Sequence, residues 1–203
     1  MSIEKLEAGV YTAISSGIID LGIQRSEKFN NSTRKFRLVW DILGEEIEIN
    51  GEKMPRTMSK EYSLSLGEKS NLRKDLQAWR GKAFTEEELS GFNLVDILNV
   101  GCQLQILNEE KNGKTYNNIA GIMSLPKGSS IEKLKKTMIF DIETVETWGE
   151  WSNIPKWIQD TIKKAENYES TGLKKYVDEF ESTQKTVEEN NDVIKAEDDD
   201  LPF

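Results

Sequence analysis

The sequence predicts an all-β domain, a small closed barrel of five strands with one helix, followed by a helical extension and a disordered acidic tail. Three observations predict it. Several segments alternate apolar and polar residues with the period of a strand. Two Asn-Gly pairs between such segments indicate hairpins, because both turn residues must tolerate positive φ. Apolar residues make up only 36% and charged residues 31% of the 203 residues, so the core is smaller than the chain.

Three strands open the chain. Val10 to Leu21 is predicted as a strand with a bulge or bend at Gly17, because its apolar residues change face there. A long, bent first strand that joins two sheets is what a small closed barrel requires. Thr33 to Leu43 alternates cleanly, and the Asn50-Gly51 turn leads to a third alternating strand from Thr57 to Leu66.

A helix and a hairpin follow the third strand. The capping box from Ser65 to Glu68 predicts a helix that ends at Gly81. A second capping box, from Thr85 to Glu88, predicts a short helical turn. Two more strands, Gln103 to Asn108 and Thr115 to Leu125, flank the second Asn-Gly turn. The first helix directs three residues at helical spacing to the core: Leu72, Leu76 and Trp79.

Three strands, a helix and two further strands is the order of the five-stranded Greek-key barrel known as the oligonucleotide-binding (OB) fold, whose helix lies between the third and fourth strands. An SH3-like barrel and an α+β sandwich share this order and remain alternatives. We expect the OB domain to span residues 1–128, an extension with an amphipathic helix to span 129–169, and a disordered acidic tail to span 170–203. The helix of the extension carries an apolar face of Trp157, Ile158 and Ile162.

The net charge of −9 conceals an asymmetry. Residues 178–203 hold ten acidic and two basic side chains, whereas residues 25–82 hold thirteen basic and nine acidic ones. Because the distribution of charge steers partners more than its sum does, the pattern predicts a basic face joined to an acidic arm. We expect the arm to occupy the basic groove when DNA is absent and to be displaced when DNA binds.

The composition excludes several kinds of active site. The chain has no histidine, so neither an imidazole base nor an imidazole metal ligand exists, and it has no phosphate-binding glycine loop. Cys102 is the single cysteine, and its alternating apolar neighbours predict a buried strand residue instead of a nucleophile. No apolar run approaches the ~18 residues of a membrane span. We therefore expect a soluble cytoplasmic protein that is not an enzyme and uses no cofactor or metal.

Cations and aromatic rings lie on the second and third predicted strands, which bind ligands in OB barrels. Cations follow phosphates and aromatic faces stack on bases, so such a surface predicts binding of a single strand. The candidates are Arg34, Lys35, Arg37 and Trp40 on the second strand, Arg56, Lys60 and Tyr62 on the third, and Lys111, Lys114 and Tyr116 in the last hairpin. Trp40 shares a face with the apolar residues of its strand, so Trp40, like Tyr62, is alternatively a core residue. Lys35 and Arg37 are alternatively solvated charges.

The last six residues combine three carboxylates with an apolar ending: Asp198, Asp199, Asp200, Leu201, Pro202 and Phe203. The Phe203 ring can fill a small apolar pocket, while its carboxylate pairs with an Arg or Lys of a partner. These residues resemble the acidic tip of bacterial single-stranded DNA-binding proteins. The resemblance implies that the tip recruits replication and repair proteins.

Two stretches of the body, from Pro55 to Leu66 and from Ser70 to Gly81, are similar to replication-associated proteins encoded by phages of Gram-positive bacteria. This resemblance implies a phage-encoded protein that binds single-stranded DNA with little sequence preference in the host cytoplasm, in DNA replication, recombination and repair. We expect no membrane partner. The sequence does not determine the oligomeric state, and a homo-oligomer is one option. Two alternatives remain open: a protein–protein adaptor that acts through the tip, and an anti-host factor that mimics the tip, neither of which binds DNA.

Overall fold

The computed structural model describes residues 5–49 and 51–184. Its strands are β1 (Gly9–Ser26), β2 (Asn31–Ile49), β3 (Glu52–Ser63), β4 (Gly101–Lys111), β5 (Lys114–Met123) and β6 (Met138–Phe140). Its α-helices are α1 (Asn71–Arg80), α2 (Glu86–Ser90), α3 (Lys156–Ile162) and α4, which occupies residues 173–184. Short 3₁₀ helices cover Leu94–Ile97, Val145–Asn153 and Tyr168–Ser170. Among the described residues, no helix combines the length and the apolar composition that crossing a bilayer requires.

The strands form one sheet with the order β3-β2-β1-β4-β5, in which all neighbours are antiparallel. The short strand β6 adds to β1 in parallel. The sheet curls strongly into a half-barrel, so that β3 and β5 approach each other across a seam, although no ladder joins them in the described chain. The strand order and the position of α1 confirm the predicted fold class, a barrel-like sheet of OB type with a helical extension.

Strand β1 is the centre of the sheet because it pairs with β2, β4 and β6. The predicted bulge is present between Ser15 and Gly17, and a second one follows between Asp20 and Gly22. The backbone N–H of Ser15 donates to the Val100 carbonyl oxygen at 3.2 Å, and its hydroxyl accepts from the Val100 N–H at 3.0 Å. The loop before β4 therefore satisfies the backbone groups that the first bulge frees.

The first hydrophobic core lies inside the curled sheet, where α1 closes it. Helix α1 ends at Gly81, whose φ of 71° is left-handed, as the sequence predicted, but it begins at the Ser70 cap and not at the predicted capping box of residues 65–68. Trp79 donates from Nε1 to the Gly101 carbonyl oxygen at 2.9 Å, which fixes α1 against β4. Cys102 is fully buried on β4, as predicted, and burial raises the pKa of its thiol to about 12.

A second hydrophobic core lies on the other face of β1, under the extension. Ile19 and Leu21 of β1 pack there against β6, α3 and α4. The contributing residues of the extension are Phe140, Ile142, Trp148, Trp151, Ile154, Ile158, Ile162, Ala165, Tyr168, Leu173 and Val177. The extension is therefore a layer of the fold that covers one face of the sheet.

The structure departs from the prediction that a disordered tail begins at residue 170. Residues 173–184 are helical, and Leu173 and Val177 are fully buried in the second core. Leu173, Tyr176, Val177 and Phe180 have the i, i+3, i+4, i+7 spacing of one helix face. The acidic composition of the chain from residue 178 onward concealed this periodicity. The rest of the expected tail, with the tip from Asp198 to Phe203, lies outside the described residues.

Gly22→Ala tests the junction between the barrel and the extension. Gly22 has a φ of 71°, and an added Cβ would lie 2.7 Å from the Ala165 Cβ and 2.7 Å from the Asn167 Oδ1. We expect overpacking and backbone strain together to lower the free energy of unfolding by about 2–4 kcal/mol, measured by urea denaturation. Gly113→Ala is the matched control, because its φ is 70° but nothing lies within 4 Å. It should cost only ~1 kcal/mol, and equal losses in the two variants would contradict the packing described.

Candidate nucleic-acid interface

A groove of about 930 Å³ follows the seam between β3 and β5. We call it the seam groove. Residues 57–61 of β3 form one wall, and residues 116–120 of β5 with the end of β4 form the other. Arg37 of β2 and Trp157 of α3 complete the groove at the side of the extension. Polar side chains, cations and aromatic rings thus meet at the place where the half-barrel is open.

Two exposed aromatic rings border the seam groove. Trp157 is 54% exposed and Tyr116 is 48% exposed. The Lys5 Nζ lies 5.5 Å from the centroid of the Tyr116 ring, so a cation accompanies this ring. The other four tryptophans, Trp40, Trp79, Trp148 and Trp151, are buried. Trp157 is therefore the one tryptophan that presents a ring to solvent.

Arg37 lies beneath the Trp157 ring. Its guanidinium carbon is 4.4 Å from the ring centroid, and Nη1 donates to the Ser59 hydroxyl at 2.9 Å. Glu61 is within 3.8 Å of the same guanidinium. Burial lowers the pKa of Arg37 and the Glu61 carboxylate opposes this shift, so the side chain is a desolvated but still charged group. Arg37, which the sequence predicts to contact phosphates, therefore also packs against the Trp157 ring.

Two further cations of the predicted set belong to the groove wall, and two lie beside it. Lys111 is exposed at the end of β4, and Lys60 lines the groove from β3. Lys114 is exposed at the start of β5, and Arg56 is half-buried on β3. The lining also contains Glu61 and Glu109. The groove therefore has a mixed charge with a small positive excess.

The ammonium group of Lys60 forms an ion pair with a carboxylate of helix α1. Its Nζ lies 2.7 Å from Asp75 Oδ2 of α1, and the Tyr62 hydroxyl donates to the same oxygen at 2.8 Å. Burial, followed by the nearby Asp75 carboxylate, raises the pKa of Tyr62 above its ordinary value. The Lys60 side chain is 27% exposed, so part of it still faces the groove.

Two predicted stacking residues are core residues instead. Trp40 is 0% exposed and packs on Trp79, and Tyr62 is 3% exposed and stacks on Phe36. Neither ring has a face that a base could reach. Assigning them to the nucleic-acid surface was wrong, because both lie on the inner face of the sheet, where α1 covers them. The alternative that the sequence left open for each ring is the one observed.

Arg34 lies in an ion-pair cluster that joins the barrel to the extension. It pairs with Asp20 at 2.7 Å, with Glu143 at 2.9 Å and with Asp141 at 3.4 Å. The hydrogen bond to Asp20 raises the pKa of Arg34 most strongly. Three carboxylates already surround this guanidinium, and it is not part of the groove wall. Its placement favours a structural role over the predicted phosphate contact.

Lys35 points to the same outer side of β2 as Arg37 but lies in a different cavity. Its Nζ pairs with Glu61 at 2.9 Å. The cavity, of about 780 Å³, lies between the end of β3 and the start of α1. The structure therefore brings Arg37, Lys60, Lys111 and Tyr116 together in one groove, and it places Arg34 and Lys35 elsewhere.

Trp157 is the residue of the groove that the sequence did not reveal. Its helix was predicted to place Trp157, Ile158 and Ile162 on one apolar face. Ile158 and Ile162 are i, i+4 neighbours and are buried, whereas Trp157 lies about 100° around the helix from Ile158 and faces the groove. The spacing of the two isoleucines alone would have separated the tryptophan from the packed face.

Comparison with models of known protein families and with curated proteins finds no match to this sequence. The interpretation of the site therefore depends on its geometry.

The variants Arg34→Ala and Lys35→Ala test whether Arg34 contributes to stability in a way that Lys35 does not. Removing Arg34 leaves Asp20, whose side chain is 10% exposed, without its main partner. We expect a loss of about 2–3 kcal/mol in the free energy of unfolding, less than for a fully buried pair because Arg34 is partly exposed. Lys35→Ala should cost less than ~1 kcal/mol. Similar values for both variants in urea denaturation would contradict a structural role for Arg34.

Proposed function

We propose that this protein binds single-stranded DNA with little sequence preference in the seam groove. The observation that carries the proposal is the convergence of two exposed rings, Trp157 and Tyr116, with the cations Arg37, Lys60 and Lys111 along one groove. Aromatic faces stack on any base, and each stacked base contributes about 1–3 kcal/mol. A duplex conceals its base faces, so such a groove favours single strands.

The sheet supports the same proposal. OB-type barrels bind oligonucleotides on a curved sheet surface. Here β3, one of the strands expected to bind, forms a wall of the groove, and Ser59, Asn117 and Asn118 add neutral hydrogen-bonding groups. Such groups serve bases of several kinds, which suits binding without a fixed sequence.

The C-terminal residues extend the proposal to partner proteins. The six residues from Asp198 to Phe203 resemble the tip through which bacterial single-stranded DNA-binding proteins recruit other proteins. We propose that they recruit replication, recombination and repair proteins to the bound strand, and that the chain acts in phage DNA metabolism in a bacterial host. The same tip favours a second candidate, an adaptor or anti-host factor that acts through the tip without binding DNA.

A titration of fluorescently labelled oligo(dT) into residues 1–184, followed by anisotropy at several salt concentrations, tests DNA binding. Three groove cations predict a slope of log affinity against log salt of about −2, since each phosphate contact with a single strand contributes roughly −0.7. Duplex DNA of equal length should bind far more weakly. Absence of binding at low salt would reject the proposal and favour the adaptor.

The truncated protein ends at residue 184 because the second hydrophobic core includes residues beyond 170. Ending at residue 170 would remove Leu173 and Val177, which are fully buried. The lost apolar contacts would destabilise the extension that holds Trp157. Ending at residue 184 keeps the described helix and removes only residues that the structure does not describe.

Comparing the full chain with residues 1–184 tests whether the acidic arm competes with DNA. Residues 185–203 hold seven acidic and two basic side chains. We expect the truncated protein to bind oligo(dT) more tightly at low salt, and we expect the difference to vanish at high salt because screening weakens the attraction of the arm to the groove. Equal affinities at low salt would show that the arm does not compete.

A further inference from the structure

The extension covers the sheet surface that lies next to the seam groove. Val39 of β2 and Met138 of β6 pack against the second core, and Trp157 lies over Arg37. OB barrels bind across their second and third strands, but here α3 and the segment around β6 occupy part of the outer face of β2. A bound strand is thereby directed to the seam, where α3 forms the border.

We propose that the extension completes the binding site by holding Trp157 as a stacking platform for one unpaired base. This inference rests on the proposed single-strand binding and deepens it, because it gives the extension, and not the barrel alone, a direct part in the binding site. The ligand is a base of either purine or pyrimidine type, bound by its π-face.

Trp157 is held in place before any ligand binds. Ile158 and Ile162, its neighbours on α3, are 2% and 0% exposed. Gln159 donates from Nε2 to the carbonyl oxygens of Trp151 at 2.9 Å and Ile154 at 3.0 Å. These contacts fix the backbone of α3, so ordering the ring on binding costs little conformational entropy.

The two faces of the Trp157 ring have different roles. The guanidinium of Arg37 contacts one face, and Ser59 and Glu61 fix the orientation of that guanidinium. Trp157 remains 54% exposed with Arg37 over one face, so we infer that the opposite face is open to a ligand. A base stacked on the opposite face would complete a layered Arg37–Trp157–base arrangement, with a positive charge near the phosphates that flank the base.

The position of the exposed Trp157 ring, over a cation and at the border of the groove, is what points to a ligand. Aromatic rings bury a large apolar area when they pack in a core, yet on this helix Ile158 and Ile162 are buried and the Trp157 ring is not. The contact with Arg37 covers only one face. A ligand that covers the other face accounts for the arrangement.

The test uses the full-length chain and oligo(dT), with two independent readouts. Anisotropy of labelled oligo(dT) measures affinity, and intrinsic tryptophan fluorescence reports on the ring, since the other four tryptophans are buried. We expect Trp157→Ala to weaken binding at least fivefold, the lower limit for one stacked base. Trp157→Phe should keep affinity within a few-fold while removing most of the quenching that oligo(dT) causes in the unmodified chain.

Phe29→Ala is the matched control, because Phe29 is 70% exposed but does not line the seam groove. It should leave affinity and quenching unchanged, and far-UV circular dichroism should match for all variants. If the unmodified chain binds oligo(dT) but Trp157→Ala binds it equally well, or if Trp157→Phe keeps the full quenching, the stacking platform is overturned while single-strand binding stands. If the unmodified chain does not bind at low salt, the proposed function itself fails.

Discussion

The structure depends on β1, a strand that is buried on both faces. Its residues 13–15 and 17–22 are buried, and only Ser16, between these two runs, is half-buried. Ala13 and Ile18 belong to the first core, and Ile19 and Leu21 belong to the second. Consecutive residues of a strand point to opposite faces, so one apolar run serves both layers. The two bulges bend the strand enough to pair with β2 along most of its length and with β4 and β6 in turn.

Because β1 joins two cores, the extension cannot be treated as an appendage of a barrel. Arg34 and Asp20 lie at the junction with Asp141 and Glu143, where ionic contacts supplement the apolar ones. The basic side chains from which the sequence predicts one basic surface therefore have two different roles. Some hold the layers together, and the remainder, with Arg37 at their centre, border the seam groove.

The strand order, the second hairpin, the end of α1 at Gly81 and the capping box of α2 could be predicted because their signals are local. Asn112 and Gly113, for example, both have positive φ, as an Asn-Gly hairpin turn requires. The predictions that were wrong concern contacts between residues that are distant in the sequence. Alternation separates the two faces of β2 but does not say that α1 covers Trp40. It also does not say that two of the three carboxylates around Arg34 lie more than 100 residues away in the sequence. The helix over 173–184 was not predicted, because the acidic composition of this part of the chain indicated disorder more strongly than four apolar residues at helical spacing indicated a helix.

The unpaired seam also has a mechanical consequence. In a fully closed barrel, the number of strands and their stagger determine the radius, and changing the radius requires breaking hydrogen bonds. Here β3 and β5 approach each other without a ladder in the described chain, so inter-strand hydrogen bonds do not fix the separation of the two edges. Trp157 and Tyr116 are carried on different sides of this gap. In the described chain, the distance between the two rings is therefore not set by a hydrogen-bond ladder across the seam.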